Sequence, residues 1–274
     1  MKFFRGEISG WVDVVDLAIT LELAKKQNLD NFLEIGVYKG GFSLNVLQNL
    51  TNFEAYLIDP YPNIPEIKQY FQDFAVKAQL NKSYKLFETI ESFEKAENPD
   101  FFNFIHIDGA HDEISVTRDL LFAYGLLNNA PQIYKPFIIV DDIYHNDFPG
   151  LTASVFHFVL SNNLSSFCIS RNKIYLCRPL DYEYFYSQLQ IILEDKSIRY
   201  SIGIDKDGTP AYPQPNNING NRQIVIGEQT TKVIDKLLNR KKGEYISRYL
   251  KTFGRNISPP FLWLIIRQFF KVFS

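Results

Sequence analysis

The chain contains 274 residues, 46% of them hydrophobic, and carries a formal net charge of −2. A chain of this length and composition can bury a full core, so we expect one large domain, or one domain with an appendage. Its two cysteines, Cys168 and Cys177, exclude a disulfide framework, and we expect both to be buried as reduced thiols.

The N-terminal residues and the hydropathy pattern bear on localisation. The first seven residues contain no long apolar segment, so we expect no signal peptide. No run reaches the ~18 apolar residues that a membrane-spanning helix requires. We therefore expect a cytoplasmic protein.

Charge is distributed unevenly along the chain. From Lys232 to the C-terminus there are ten basic and two acidic residues, whereas the preceding 231 residues carry 19 basic and 29 acidic ones. These counts give +8 for the tail and −10 for the body. A basic tail on an acidic body predicts an anionic partner for the tail alone, and it argues against a nucleic-acid-binding protein.

Helical and strand patterns alternate over the first two thirds of the chain. In chain order they predict helix 11–27, strand 32–37, helix 42–50, strand 54–58, helix 64–80, strand 84–87, strand 101–107, helix 112–127, strand 136–140, helix 152–160 and a hairpin over 166–178. Such alternation predicts an α/β fold with a doubly wound, mostly parallel, seven-stranded sheet covered on both faces.

The region after residue 180 predicts a mainly helical extension. Helices are expected over 182–193, 231–238 and 245–253, with an extra strand over 223–226. Residues 203–222 are rich in Gly, Pro, Asn and Asp and predict a loop. The final apolar segment, 261–273, is interrupted only by Arg267, Gln268 and Lys271, which share one helical face.

The stretch NFLEIGVYKGGFSL, residues 31–44, combines a short apolar strand, a glycine turn and the start of a helix. This arrangement presents backbone N–H groups to a small ligand in parallel sheets. The spacing Gly36-x-x-x-Gly40 differs from the dinucleotide and P-loop patterns. Glu34, just before the turn, would repel a phosphate and suit a cationic ligand. A tight turn without a ligand is the alternative.

Acidic residues occur at or next to the ends of four of the first five predicted strands. They are Glu34, Asp59, Asp108 and the pair Asp141-Asp142. Ligands of doubly wound sheets bind outside the carboxyl ends of the strands, so this pattern predicts a binding site. The alternative for Asp59, which precedes Pro60, is a turn cap. Otherwise its carboxylate suits a ribose diol.

The carboxylates after the fourth and fifth strands predict a metal site. Asp108, Asp141 and Asp142 would meet at one edge and offer oxygen ligands to Mg²⁺, Ca²⁺ or Mn²⁺. We reason that such a cluster would repel itself without an ion, although Asp141 or Asp142 could instead cap the following segment. His111, three residues after Asp108, is then the candidate general base, and His145 ranks second.

These motifs resemble a known family. FLEIGVYKGGFS, YLIDPYP, FIHIDGAHDEISVTRDL and FIIVDDIYH are similar to class I S-adenosylmethionine-dependent methyltransferases, and most to the metal-dependent macrocin-type sugar O-methyltransferases. The resemblance spans residues 10–178 and implies a Rossmann-like methyltransferase domain over 1–180, with an extension over 181–274. It implies cofactor contacts by Glu34, Gly36, Gly40, Ser43, Asp59 and Thr89. It also implies a divalent metal, expected to be Mg²⁺, on Asp108, Asp141 and Asp142, with His111 as base.

Three functional hypotheses follow. The first is a Mg²⁺-dependent O-methyltransferase acting on a sugar hydroxyl of a glycan, glycolipid or glycosylated natural product. The second is an NAD-dependent oxidoreductase, against which the glycine spacing and Glu34 both argue. The third is a catalytically silent methyltransferase-like module, tethered to a membrane or a complex by its tail.

The tail itself has two interpretations. Its apolar segment would pack onto the body or onto another subunit of a homo-oligomer. Alternatively, a basic interfacial helix would rest on anionic lipid at the inner membrane face, with Trp263 and neighbouring phenylalanines inserted.

Overall fold

A computed structural model of the chain describes residues 13–60, 65–80, 83–96, 99–145, 147–170, 172–194, 211–214 and 223–226. By its internal contacts the chain divides into a first unit, residues 1–227, and a second unit, residues 228–274. All described residues belong to the first unit, and the predicted boundary at residue 180 falls inside it. The predictions made for residues 231–273 lie outside the described residues.

The described strands form one sheet. They are β1 (Asn31–Ile35), β2 (Glu54–Ile58), β3 (Tyr84–Phe87), β4 (Phe104–Ile107), β5 (Phe137–Val140), β6 (Ser165–Ile169), β7 (Ile174–Cys177), β8 (Ala211–Gln214) and β9 (Gln223–Ile226). Their order is β3-β2-β1-β4-β5-β7-β6-β9-β8. The first five of these positions are parallel, and β7 is antiparallel to both β5 and β6. The predicted seven-stranded, mostly parallel sheet is thereby confirmed.

Two further strands extend this sheet beyond β6. The strand predicted over 223–226 is confirmed as β9, which pairs in parallel with β6. The loop predicted over 203–222 is wrong for β8, which pairs antiparallel with β9. The loop was predicted partly from its proline content, but Pro213 lies within β8. An edge strand tolerates a residue without an N–H, and β8 is the last strand of the sheet.

Helices cover both faces of the sheet. They are α1 (Val14–Ala24), α2 (Gly41–Asn49), α3 (Pro65–Lys77), α4 (Ile90–Glu94), α5 (Glu113–Asn129), α6 (Pro149–Ser161) and α7 (Tyr182–Glu194), with a short 3₁₀ helix at Pro179–Asp181. The core on one face includes residues of α1, α2, α3 and α7, and the core on the other includes residues of α4, α5 and α6. Alternate strand residues point to opposite faces, which is why the two cores are separate.

Aromatic residues align the central strands. Phe32, Phe104 and Phe137 lie on adjacent strands, with ring centroids 5.0 Å apart in the first pair and 5.5 Å apart in the second. All three side chains are fully buried. Their stacking holds β1, β4 and β5 side by side, and these strands carry most of the predicted site.

Some element boundaries differ from the predictions. The N-cap residue Asp13 accepts a hydrogen bond from Val15 N at 2.8 Å, so α1 begins at Val14 instead of residue 11. The helix α4 was not predicted, because five residues are too few to show a periodic pattern. Cys168 and Cys177 are both free and buried, as expected. Among the described helices, none is both long and apolar enough to cross a bilayer.

Candidate active site

The predicted acidic residues lie along one edge of the sheet. Since β2, β1, β4 and β5 are consecutive and parallel, their carboxyl ends meet there. Ligand atoms of Asp108, His111 and Asp142 all lie within 4.8 Å of one another, and so do those of His106, Asp108 and Asp141. The tertiary structure therefore brings together side chains that are up to 35 positions apart in sequence.

The glycine turn after β1 is held by the carboxylate that follows β2. Asp59 Oδ2 accepts hydrogen bonds from the backbone N–H of Val37 at 2.7 Å and of Tyr38 at 2.8 Å. Burial raises the pKa of Asp59, and these two N–H donors oppose that effect. Asp59 thus fixes the conformation of the turn, in addition to any contact with a ligand.

The two glycines predicted to contact a cofactor have structural reasons to be glycine. Gly36 has φ +83°, and a Cβ there would lie 2.0 Å from the backbone oxygen of Asp108. Gly40 has φ +79°, and its Cβ would lie 2.4 Å from the ring of Phe71. Both residues therefore allow a positive φ and a close approach of neighbouring elements.

Glu34 is the buried acidic residue of this turn. Its side chain is 2% exposed, and its Oε1 lies 3.0 Å from His106 Nδ1. Its Oε2 is buried and has no hydrogen-bond partner among the described residues. Burial raises the pKa of Glu34, so a cation placed against Oε2 would stabilise the ionised carboxylate. Ser43, predicted to contact the same ligand, is buried in the first turn of α2.

Thr89 follows β3 and caps α4. Its Oγ1 accepts a hydrogen bond from Ser92 N at 3.1 Å, and its own N–H donates to Ser92 Oγ at 3.0 Å. This reciprocal pair is a capping box. The capping role accounts for the threonine, and its predicted cofactor contact stays a prediction.

Asp108, His111 and Asp142 form a partly exposed cluster, which we call the rim triad. Their side chains are 35%, 29% and 21% exposed. His111 Nε2 lies 3.1 Å from Asp142 Oδ2 and 3.8 Å from Asp108 Oδ1, and its ring stacks on Phe148 with centroids 4.1 Å apart. His145, the second-ranked histidine, stacks on the same ring at 4.7 Å.

The rim triad alters the protonation of His111. The adjacent carboxylates of Asp108 and Asp142 raise the pKa of His111 to about 9. His111 is therefore protonated at neutral pH when only these carboxylates face it. Its pKa thus lies above the value of about 6.5 for a free histidine, because the two adjacent carboxylates stabilise the imidazolium.

Asp141 lies deeper and is neutralised by a residue that the sequence analysis did not single out. Lys173, at the turn before β7, is buried and forms an ion pair with Asp141 Oδ2. Asp141 Oδ1 accepts hydrogen bonds from Asp142 N at 2.8 Å and from Asn172 Nδ2 at 3.2 Å. The argument that this cluster requires an ion for neutrality was therefore wrong for Asp141, because Lys173 already supplies a positive charge.

His106, which is fully buried, is a further residue that the sequence analysis did not single out. The register of β1 and β4 sets Glu34 directly beside His106. Alignment of the two predicted strands could have suggested this contact. Lys173 gave no comparable signal, since it reaches the site only through the antiparallel return of β7.

The donor set of the rim triad fits a hard divalent ion. Asp108 and Asp142 offer carboxylate oxygens at a partly exposed position, and His111 offers a nitrogen beside them. Asp141 fits less well, because Lys173 and two N–H donors already satisfy its oxygens. Any ion at this site would be held first by Asp108 and Asp142.

Comparisons with known proteins agree with this architecture. Residues 33–132 match the model of a family described as a methyltransferase domain. A Klebsiella pneumoniae protein described as a candidate O-methyltransferase has 15% identity and a TM-score of 0.50, covering 64% of this chain and 84% of its own. A sequence search of the curated proteins finds no match.

Two further solved structures are similar at lower scores. The O-methyltransferase TomG from Streptomyces achromogenes, solved with S-adenosylmethionine, has 12% identity and a TM-score of 0.48, covering 63% of this chain and 82% of its own. A Bacillus cereus O-methyltransferase, solved with S-adenosylhomocysteine, has 16% identity and a TM-score of 0.46, covering 64% and 84%. Residues 33–132 therefore match a methyltransferase domain, and the strands of this chain form a Rossmann-like sheet.

Proposed function

We propose that this chain is an S-adenosylmethionine-dependent O-methyltransferase. The observation that carries the proposal is the buried Glu34 Oε2, which has no hydrogen-bond partner among the described residues and lies beside the glycine turn of a methyltransferase domain. S-adenosylmethionine has a cationic sulfonium and a cationic amino group, and a buried carboxylate with an open oxygen suits either. An NAD-dependent oxidoreductase or a catalytically silent binding module explains this buried carboxylate oxygen less directly.

We further propose how the cofactor is held. Glu34 and Ser43 would face its methionine part, and Asp59 would accept a hydrogen bond from its ribose. Since two backbone N–H groups already donate to Asp59 Oδ2, the ribose would use the other carboxylate oxygen. Gly36 and Gly40 would contribute by keeping the turn close to the sheet.

Methyl transfer would then take place at the rim triad. A lone pair of the acceptor hydroxyl oxygen attacks the methyl carbon, the C–S bond breaks, and its electron pair returns to sulfur. The hydroxyl proton passes to His111 Nε2, which must be unprotonated to receive it. Holding the hydroxyl in line with the methyl group is the kind of positioning that supplies about 7–11 kcal/mol.

We propose that a divalent ion, Mg²⁺ being the simplest choice, assists at this position. Asp108 and Asp142 would hold it, where its charge would lower the pKa of both a bound hydroxyl and His111. An acceptor with two adjacent hydroxyls, such as a sugar in a glycan, glycolipid or glycosylated natural product, would fit such a site. The sugar rests on the resemblance to macrocin-type enzymes and stays a proposal.

The remaining proposals concern location and partners. Two free, buried cysteines are consistent with a reducing compartment, and we propose a cytoplasmic enzyme. Association of the basic tail with anionic lipid, and the alternative of a subunit contact, concern residues outside the described ranges. Both stay predictions, as does the absence of nucleic-acid binding.

A binding measurement tests the proposed function first. Purified protein is titrated calorimetrically with S-adenosylmethionine, in Mg²⁺ and again after chelation, with Glu34→Gln as the matched variant. We expect micromolar binding by the wild type and at least tenfold weaker binding by the variant. Absence of binding by the wild type would overturn the proposal.

A transfer measurement then separates the remaining alternatives. The protein is incubated with S-adenosylmethionine and a panel of sugar nucleotides, glycosylated natural products and catechols, and S-adenosylhomocysteine is quantified. Formation that needs both an acceptor and Mg²⁺ supports the metal-assisted enzyme. Cofactor binding with no turnover on any acceptor would favour the silent binding module.

A further inference from the structure

A continuous set of buried contacts joins the cofactor turn to the end of β5. Starting from Glu34 Oε1, His106 Nδ1 lies 3.0 Å away, and on the other side of the ring His106 Nε2 lies 3.2 Å from Lys173 Nζ. Lys173 in turn pairs with Asp141. All four side chains are at most 9% exposed. We call this set the internal bridge.

The chemistry of lysine fixes the direction of the hydrogen bonds in the internal bridge. A lysine ammonium can only donate, so His106 Nε2 must accept from Lys173. The ring proton is then on Nδ1, which donates to Glu34 Oε1. One oxygen of Glu34 is thereby engaged, and the other has no hydrogen-bond partner within the part of the chain that the structure describes.

The ring of His106 has little freedom to turn away. Phe42, in the first turn of α2, stacks on it with ring centroids 3.9 Å apart and an interplanar angle of 23°. Lys173 Nζ lies 5.8 Å from the centroid of the same Phe42 ring. The aromatic contact and the two polar contacts thus hold the imidazole from three sides.

Asp141 and the rim triad have different surroundings. Asp141 is buried, and its two oxygens are engaged by Lys173, Asn172 and the backbone N–H of Asp142. Asp108 is 35% exposed and Asp142 is 21% exposed. An ion could therefore reach the rim triad without breaking a buried ion pair, whereas at Asp141 it would have to displace the Lys173 ammonium.

We propose that Lys173 and His106 are positioning residues that orient Glu34 toward the methyl donor, and that Asp141 anchors Lys173 instead of serving as a ligand of the divalent ion. The proposal deepens the proposed function and rests on it for the identity of the methyl donor. It assigns the ion to Asp108 and Asp142 alone among the three aspartates. Lys173 acts through His106 and does not touch the reacting atoms.

The decisive variant is the double substitution Lys173→Met/Asp141→Asn. It removes both charges of the ion pair with little change in volume, so neither partner is left as an unpaired buried charge. Asp142→Asn is the comparison at the rim triad. Lys135→Met is the matched lysine control, because Lys135 pairs with buried Asp181 at 3.0 Å, next to the start of β5 and away from Glu34. Circular dichroism establishes that each variant is folded.

Three readouts test separate parts of the proposal. Mn²⁺ binding, followed by electron paramagnetic resonance, should stay within about twofold of wild type in the double variant and weaken at least tenfold in Asp142→Asn. S-adenosylmethionine binding should weaken five- to tenfold in the double variant and not in Lys135→Met. Nitrogen NMR of the imidazoles should show His106 protonated on Nδ1 in the wild type, with this preference lost in the double variant.

Each readout can also contradict the part of the proposal that it tests. A tenfold loss of Mn²⁺ affinity in the folded double variant would make Asp141 a ligand of the ion. Unchanged S-adenosylmethionine affinity in the double variant would contradict the positioning role. Protonation of His106 on Nε2 in the wild type would contradict it as well. If the wild type binds no S-adenosylmethionine, the proposed function fails, while the NMR and Mn²⁺ results still test the bridge.

Discussion

His111 Nε2 lies 3.1 Å from Asp142 Oδ2, a contact that joins the turn after β4 to the turn after β5. The two residues are 31 positions apart and meet because β4 and β5 are adjacent and parallel. The same pairing that places His111 as a base also makes it a stronger base than a free imidazole. Its protonation and the occupancy of the rim triad by a cation are therefore coupled.

We predict that His111→Ala lowers kcat by about 10²–10⁴-fold at neutral pH, the usual contribution of a positioned general base. The dissociation constant for S-adenosylmethionine should change less than twofold, because His111 contacts neither Glu34 nor Asp59 in the described contacts. Steady-state kinetics and calorimetry check both values. His157→Ala, within α6, is the matched control. Full turnover by His111→Ala would remove the base assignment.

The pH dependence of the rate should reveal the same coupling. Because the pKa of His111 is raised to about 9, residual turnover without a divalent ion should rise with pH up to about 9, as the imidazole loses its proton. Added Mg²⁺ should shift this rise to lower pH, since a cation on Asp108 and Asp142 disfavours the imidazolium. Rate profiles from pH 6 to 10 measure the shift. An identical profile with and without Mg²⁺ would contradict an ion at the rim triad.

Gly36→Ala should destabilise the protein by at least about 3 kcal/mol, since it combines a positive φ with a Cβ that meets the backbone of Asp108. Gly125 provides the control, because a Cβ there meets nothing within 4 Å and the residue lies inside α5. Gly125→Ala should stabilise by about 0.5–1 kcal/mol through helix propensity. Urea denaturation of the three proteins measures both effects, and equal stabilities would contradict the packing described for Gly36.

We predict that Asp16, on α1, makes the stability of the folded protein depend on pH. Burial raises its pKa from 3.8 to about 7, so the folded state holds a proton that the unfolded state releases between these values. Stability should consequently fall as pH rises from about 4 to 7. In the wild type, Tyr175 Oη donates a hydrogen bond to Asp16 Oδ1 at 3.0 Å. Asp16→Asn keeps an amide oxygen that can accept this hydrogen bond. Relative to wild type it should be more stable at pH 8 by a few kcal/mol, on the order of 1.4 per pKa unit, with no gain at pH 4.

Denaturation curves of wild type and Asp16→Asn at both pH values test this sign. The dominant cause is desolvation of the carboxylate, and the nearby Lys173 opposes it. A variant less stable than wild type at pH 8 would show that attraction to Lys173 outweighs burial.

Substitutions of Thr89 can separate its helix-capping role from a contact with the cofactor. Thr89→Ala should destabilise the protein by about 1 kcal/mol through loss of the N-cap of α4, whereas Thr89→Asn keeps a capping oxygen and should be within a few tenths of wild type. Binding of S-adenosylmethionine by Thr89→Asn then isolates the hydroxyl. Unchanged affinity assigns Thr89 to capping alone, and a tenfold loss would support the contact that the family resemblance implies.

The sequence by itself determined the sheet and the positions of its acidic residues. Buried parallel strands appear as short apolar runs, and each ends where the backbone turns at the same edge. The local pattern around Glu34, Asp59, Asp108 and Asp141 therefore indicated both the strand and the edge. The strand β8 and the helix α4 were not predicted. An edge strand that contains a proline and a helix of five residues both leave weak local patterns in the sequence.

Only the tertiary structure decided how the charges at that edge are paired. Lys173 lies 32 residues after Asp141 and reaches it because β7 returns antiparallel beside β5. His106 meets Glu34 through the register of β1 and β4, which neither segment encodes alone. Burial strengthens both contacts by removing water, so the protonation of these groups depends on long-range packing. The sequence could place the carboxylates, and only the fold could show that Lys173 neutralises Asp141.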